Sequence, residues 1–132
     1  ELEDKNIHST SQNDVNWCDP MVQLKLLRLR AKRLVWETFG EYKAQVRSGV
    51  ANDVAWNAMQ PLFPKMVNAH CVLYIAKCFV AGVEMAKVEY PGLVEVLQRL
   101  SNFYILHQME KDMVDFMEVG MISREQQLQI RQ

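Results

Sequence analysis

Apolar positions return every three or four residues along residues 24–42, which is the spacing of one face of an amphipathic helix. Asp19-Pro20 precedes this run as a start signal, because a carboxylate can cap the first turn and proline fits the first helical position. Ser48-Gly49 follows and is typical of a helix end. The pattern predicts a first helix to about Arg47. Its apolar positions are Leu24, Leu27, Ala31, Leu34, Val35, Phe39 and Tyr42.

A third helix is predicted over about residues 65–87, after a short second one. Its centre is apolar on nearly every side, which favours a position in the middle of a helical bundle. A membrane span needs about 20 apolar residues. Lys65, His70, Lys77 and Glu84 interrupt this segment, so the sequence predicts a buried helix and no membrane span.

A fourth helix is predicted after the turn at Tyr90-Pro91-Gly92, running to a stop at Gly120. Ser123 with Gln126 three residues later matches a capping box, which predicts a last helix. The predicted buried face of the fourth helix comprises Leu93, Val96, Leu97, Leu100, Phe103, Tyr104 and His107.

Long amphipathic helices with short connections predict an all-α fold, an up-down helical bundle of four or five helices over residues 19–132. No segment alternates with period two for long enough to indicate a strand. The short second helix begins at Asn52, and Pro61 and Pro64 break the chain after it. Residues 1–18 are polar and acidic, which predicts a flexible acidic arm or linker.

The formal net charge of −1 gives the chain no overall attraction to nucleic acid or membranes. The first helix is nevertheless basic. Lys25, Arg28 and Lys32 share one face of it, whereas Arg30 and Arg33 lie on another. This division favours a solvated helix face with some ion pairs over a nucleic-acid-binding stripe.

The three cysteines and the histidines do not form a metal-binding pattern. Cys71 and Cys78 lie seven residues apart on the apolar third helix, and with Cys18 they are expected to be reduced thiols of an intracellular protein, the first two in the core. His70 and His107 could meet within the bundle, but two histidines without a Cys-x-x-Cys pair do not complete a zinc site. No metal ligand is therefore assigned.

Two polar groups are candidate sites. His70, Tyr74 and Lys77 follow one another at helical spacing, which fits either a cleft that binds phosphate or the water-facing edge of a half-buried helix, and the second reading is favoured. Asp112 and Asp115 could be neighbours, but neither lies in a setting that would tune it for acid-base chemistry. With no phosphate-binding loop or nucleophile motif, we assign no catalytic or cofactor-binding residue.

Several strings together resemble one family, the acyl-CoA oxidases, over about residues 23–132. Their order and spacing match the C-terminal helical domain of that family. The strings lie at residues 27–35, 53–57, 69–71, 77–79 and 96–100, with Tyr104, Asp115-Phe116 and Gly120.

The resemblance implies a parent enzyme that is a dimeric, FAD-dependent member of the acyl-CoA dehydrogenase superfamily. Such enzymes convert acyl-CoA to trans-2-enoyl-CoA in fatty-acid β-oxidation, and oxidases pass the electrons to oxygen. The catalytic glutamate and most flavin-binding residues of the family lie upstream, so no cofactor and no activity are expected in this chain alone. Trp56, His70 and Tyr104 are expected at interior or seam positions of the bundle.

The resemblance also implies the partners and the compartment. The partners are the remaining domains of the parent, a second subunit and the acyl-CoA substrate, with no nucleic acid. The compartment is the peroxisome in a eukaryote and the cytoplasm in a bacterium. The chain lacks an initiator Met and ends inside a helical pattern, so both ends are expected to be cuts in a longer protein. The alternatives are a stand-alone helical protein-interaction module and a small acyl-binding bundle.

Overall fold

A computed structural model describes residues 15–131, which form six α-helices and contain no strand. A 3₁₀ turn, Pro91–Leu93, leads into the fourth helix. The predicted all-α helical bundle is confirmed, while most of the predicted arm lies outside the described residues. The helices are α1 (Pro20–Arg47), α2 (Asn52–Ala58), α3 (Phe63–Glu89), α4 (Val94–Lys111), α5 (Met113–Met117) and α6 (Arg124–Ile130).

Local capping signals fix where α1 and α6 begin. The Asp19 carboxylate accepts a hydrogen bond from the Met21 backbone N–H at 2.8 Å, and α1 opens with proline as predicted. Gly49 follows the end of α1 with a φ of 93°, a conformation that glycine adopts without strain. The capping box of α6 is also present, since the Ser123 N–H donates to Gln126 Oε1 at 2.9 Å and the Gln126 N–H donates to Ser123 Oγ at 3.3 Å.

Two predicted boundaries are wrong. The chain is not broken at Pro64, because α3 already begins at Phe63 and proline is tolerated in a first helical turn. The fourth helix does not run through to Gly120. Asp112 leaves the helical conformation, with φ −106° and ψ 22°, and α5 starts at the next residue.

The core lies between α1, α3 and α4, with α5 packed on α1 and α6 packed on α4. α3 contacts both long neighbours, which makes it the central helix of the three. The buried residues of the core cluster are Leu26, Leu27, Ala31, Leu34, Ala69, Val72, Leu73, Ala76, Ile105, Met109, Met113, Phe116, Ile122 and Ile130.

The prediction of which face of α4 is buried is wrong. Ser101, Ile105 and Met109 point into the core, whereas Leu100 and Phe103 are 51% and 72% exposed. Both sides of α4 carry apolar residues at helical spacing, so periodicity alone could not select the side that packs. The side that faces inward carries Ser101, a small residue, and the completely buried Ile105 and Met109.

The expected burial of α3 is only partly correct. It buries one side, but Cys71 and Cys78, which were predicted in the core, are exposed. α3 is also long and apolar enough to cross a membrane, and 28% of its most apolar window is buried in the bundle. A core helix of a soluble protein meets the same criterion, so the absence of a membrane span stays a prediction.

Candidate functional site: a buried ion-pair network and an exposed apolar face

Arg30 is the largest fully buried side chain among residues 15–131, with 1% of its surface exposed. Its Nε–H donates to Asp115 Oδ2 at 2.8 Å, and its Nη1 lies 3.0 Å from Asp112 Oδ2. Its guanidinium also lies 5.9 Å from the centre of the Phe116 ring, within the range of a cation–π contact. Arg30 thereby joins α1 to Asp112, which directly precedes α5, and to Asp115 within α5.

Asp115 joins a third helix to this network. Its Oδ1 lies 2.6 Å from Lys65 Nζ in the first turn of α3. Arg33 lies at the edge, with Nη2 at 3.8 Å from Asp115 Oδ1 and Nη1 at 3.7 Å from Glu118 Oε2. The network therefore joins α1, α3 and α5 through one carboxylate, and we call it the Asp115 network.

Electrostatics keep Asp115 ionised. Burial by itself raises the pKa of this carboxyl, but hydrogen bonds and charge from Lys65 and Arg30 outweigh burial and hold the pKa below its usual range. A general acid or base for reactions near neutral pH needs a pKa near that pH. Asp115 is therefore suited to anchoring helices and not to proton transfer.

The predicted solvated face is wrong for Arg30, whereas Arg33 is half-buried and forms an ion pair with the exposed Glu37, as a solvated face with some ion pairs implies. Arg30 is buried because it lies three residues after Leu27 and four residues before Leu34, which places it on the core side of α1. This spacing was visible in the sequence. Asp112 and Asp115, predicted as neighbours, both contact Arg30.

The polar stripe of α3 does not line a cleft. His70, Tyr74 and Lys77 are all exposed, and Tyr74 exposes 64% of its surface. His107 stacks on the ring of Phe103 at 6.0 Å. Within residues 15–131, no three or more His, Cys, Asp or Glu side chains are placed to hold a metal ion.

Three residues were expected at the interior or at a seam. Trp56 is 52% exposed but packs its ring between Tyr42 at 5.9 Å and Phe63 at 4.8 Å. Tyr104 is half-buried against Phe79, with ring centres 6.3 Å apart. His70 is exposed and so does not lie in the interior of this chain.

Exposed apolar residues form two lines that sequence reasoning did not separate from the core. The α3 seam is spaced by alternating steps of four and three residues, and every member is exposed. It comprises Val67, Cys71, Tyr74, Cys78, Ala81, Met85 and Val88. The α4 seam has the same spacing, with the exposed apolar members Val96, Leu100 and Phe103 and, at the next position, the exposed His107, whose ring stacks on Phe103. Apolar residues at this spacing are the pattern by which one helix packs on another.

The family of the chain follows from its similarity to known sequences. The model of the acyl-CoA oxidase family matches residues 19–132, nearly the whole chain. The chain belongs to the acyl-CoA oxidase family. The resemblance carried by the strings between residues 27 and 120 is therefore confirmed.

Relatives cover most of the chain, but the chain covers little of them. Peroxisomal acyl-coenzyme A oxidase 2 of Rattus norvegicus is 32% identical over 91 residues, 69% of this chain and 13% of that protein. Peroxisomal acyl-coenzyme A oxidase 1 of Mus musculus is 28% identical over 117 residues, 89% of this chain and 17% of that protein. Peroxisomal acyl-coenzyme A oxidase 1 of Phascolarctos cinereus is 24% identical over 119 residues, 90% of this chain and 17% of that protein. The chain thus spans 13 to 17% of the length of these acyl-CoA oxidases.

The groove on α1 of this acyl-CoA oxidase family chain does not fit FAD. A groove of about 510 Å³ lies along α1, lined by residues of that helix alone and open to solvent. A flavin site needs walls from several elements to enclose the ring system. Within the Asp115 network, Arg30 and Asp115 are hydrogen-bonded to each other, whereas Asp112 Oδ2 and Arg33 Nε and Nη2 are buried without a hydrogen-bond partner among the described residues.

Proposed function

We propose that the chain is the C-terminal helical domain of an FAD-dependent acyl-CoA oxidase of fatty-acid β-oxidation. Within the parent enzyme it packs against the remaining domains, contributes to a homodimer and helps to enclose the acyl chain. Membership of the family supports the oxidase part of this proposal. The observation that carries the packing role is the pair of exposed seams on α3 and α4.

The seams favour a helical partner. On α3, Tyr74 is 64%, Met85 63% and Val88 85% exposed, all along one side of the helix. On α4, Phe103 is 72% exposed. Contiguous apolar surface of this kind marks an interaction site when it occurs on a soluble domain, and the three-and-four spacing matches the side of a second helix.

The chain's contribution to the reaction is then enclosure. In the parent, FAD supplies the hydride acceptor for conversion of acyl-CoA to trans-2-enoyl-CoA. Packing of the two seams against the flavin-bearing part excludes water from that site, which favours transfer chemistry of this kind. The Asp115 network holds α1, α3 and α5 in one arrangement, so that the seams keep their relative position. The relatives' names support a peroxisomal location.

Two matched methionines test this function in the full-length parent. Met85 lies in the α3 seam and is 63% exposed, and Met21 lies on α1 and is 74% exposed. Met85→Glu is expected to weaken docking of the domain by more than about tenfold, because the interface would bury an unpaired carboxylate. Met21→Glu adds the same charge outside the seams and is expected to change docking little. Bound flavin per subunit and dimer content by sedimentation report the docking.

Three outcomes would contradict the proposal. One is equal flavin content in the Met85→Glu and Met21→Glu enzymes. Another is a yellow, flavin-binding chain of residues 1–132 by itself. The third is tight binding of palmitoyl-CoA to this chain in calorimetry, which would favour the acyl-binding bundle instead.

A further inference from the structure

The outer side of α1 carries a line of cations and aromatic rings. Successive members are three or four residues apart, so they fall within one narrow arc of the helix, opposite the core. We call this line the α1 outer stripe. Its members are Lys25, Arg28, Lys32, Trp36, Phe39, Lys43 and Arg47, and all of them are exposed.

The positive charge of the stripe is not neutralised within residues 15–131. None of its five cations forms an ion pair there. The carboxylates of α1, Glu37 and Glu41, lie on a different side, where Glu37 pairs with Arg33 at 3.2 Å and Glu41 accepts a hydrogen bond from Gln45. Arg30 and Arg33 belong to the Asp115 network and do not contribute to this side of α1. The five cations of the α1 outer stripe therefore form one positively charged surface.

Apolar groups interleave with this charge. Trp36 is 71% and Phe39 45% exposed on the stripe itself. Beside its first half, the groove along α1 is lined by four apolar residues and three cations: Met21, Val22, Leu24, Leu29, Lys25, Arg28 and Lys32. A helix with clustered Lys and Arg and an exposed tryptophan has the composition of a segment that lies at a bilayer interface.

We propose that the α1 outer stripe docks this domain on the surface of an anionic phospholipid bilayer, with α1 parallel to the membrane plane. α1 has 28 residues, which gives a straight contact of about 42 Å. Five unpaired cations along it are attracted to negatively charged headgroups, each lysine or arginine by about fivefold in binding. Trp36, Phe39 and Met21 can enter the headgroup region between them. This is a peripheral contact and is separate from the α3 seam.

Two other anionic partners fit the stripe less well. Single-stranded RNA needs free ring faces for base stacking, but Phe39 is stacked on Tyr42 at 5.9 Å and has Lys43 4.7 Å from its ring centre. That leaves Trp36 as the one open ring of the stripe. An acidic peptide helix needs a groove with walls from neighbouring elements, whereas the groove here is lined by α1 alone.

Co-sedimentation with vesicles tests the proposal on the complete chain. Phosphatidylcholine vesicles are compared with vesicles in which roughly a third of the lipid is phosphatidylserine. The chain is expected to bind the anionic vesicles and to release them as salt is raised. The triple variant Lys25→Gln, Arg28→Gln, Lys32→Gln is expected to bind on the order of 100-fold more weakly. Trp36→Ala, which changes no charge, is expected to lose about fivefold.

A matched variant separates the stripe from net charge. Lys77→Gln, Lys87→Gln, Arg99→Gln removes the same residue types from α3 and α4 and is expected to bind as the unmodified chain does. Equal losses for the two triple variants contradict the proposal, as does equal binding to neutral and anionic vesicles. Binding to polyglutamate or to single-stranded RNA without binding to anionic vesicles overturns it in favour of a protein or an RNA partner.

Discussion

Asp115→Ala is expected to lower the free energy of unfolding of the chain by about 3–5 kcal/mol. Asp115 accepts the hydrogen bond of a buried guanidinium at 2.8 Å and contacts Lys65 at 2.6 Å. Removing it leaves Arg30 in the core with only Asp112 nearby, and a buried charge with incomplete pairing is strongly unfavourable. Denaturant-induced unfolding followed by circular dichroism measures the change.

An exposed ion pair is the control for Asp115. Glu110 contacts Arg131 at 2.9 Å, and their side chains are 40% and 53% exposed, against 5% for Asp115. Glu110→Ala is expected to cost about 0–1 kcal/mol. If both variants unfold at the same denaturant concentration, the Asp115 network does not hold the three helices together as described.

The pH dependence of the Asp115 effect has a defined sign. Because the pKa of Asp115 is lower in the folded chain than its unfolded value of about 3.9, its contribution is fully present above that pH and is lost as pH falls through the folded pKa. The stability difference between the unmodified chain and Asp115→Asn is therefore expected to shrink over the acidic range below the unfolded pKa of Asp115. A difference that stays constant over this range contradicts the ion-pair assignment.

Phe116→Ala is expected to destabilise the chain by about 3–5 kcal/mol, while Phe103→Ala is expected to cost less than about 0.5 kcal/mol. Phe116 exposes none of its surface and Phe103 exposes 72%. Deleting a buried ring leaves a cavity and loses the free energy gained by transferring that ring from water to the core. Deleting an exposed ring creates no cavity and loses little of this transfer free energy. Thermal and denaturant unfolding of the isolated chain compare the two variants directly.

This phenylalanine pair also tests which side of α4 faces inward. The sequence pattern places Phe103 in the core, and the structure places it on the α4 seam. A large loss for Phe103→Ala in the isolated chain would support the sequence interpretation against the observed packing. In the full-length parent, the same substitution is expected to matter more, because the seam is proposed to be covered there.

Local signals in the sequence were sufficient to predict the helices but not the sides on which they pack. Asp19 and the Ser123–Gln126 box fix helix starts because they act on backbone groups within one turn. The buried side of α4 depends on which of two apolar sides meets α3, and that choice requires the whole bundle. The charge of Arg30 predicts a solvent-exposed position, because charged residues usually lie there, whereas its spacing from Leu27 and Leu34 indicates the core side.

The candidate site was harder to foresee because its surface is apolar and has no chemical motif. In one chain, an apolar helical line that packs internally looks the same as one that packs on another domain. Only the packing of the bundle shows that Tyr74 and Met85 lie on the surface and not in the core. The family resemblance could be recognised from short strings, since their order along the chain does not depend on packing.

Thiol accessibility gives the most direct test of the proposal that the α3 seam is covered by the rest of an acyl-CoA oxidase. Cys71 and Cys78 lie in the seam and are exposed in this chain, as is Cys18 before α1. Labelling with a maleimide, quantified residue by residue by mass spectrometry, compares the isolated chain with the full-length parent. The account predicts that Cys71 and Cys78 react in the isolated chain and are protected at least about tenfold in the parent. Equal labelling of both cysteines in the two proteins would contradict it.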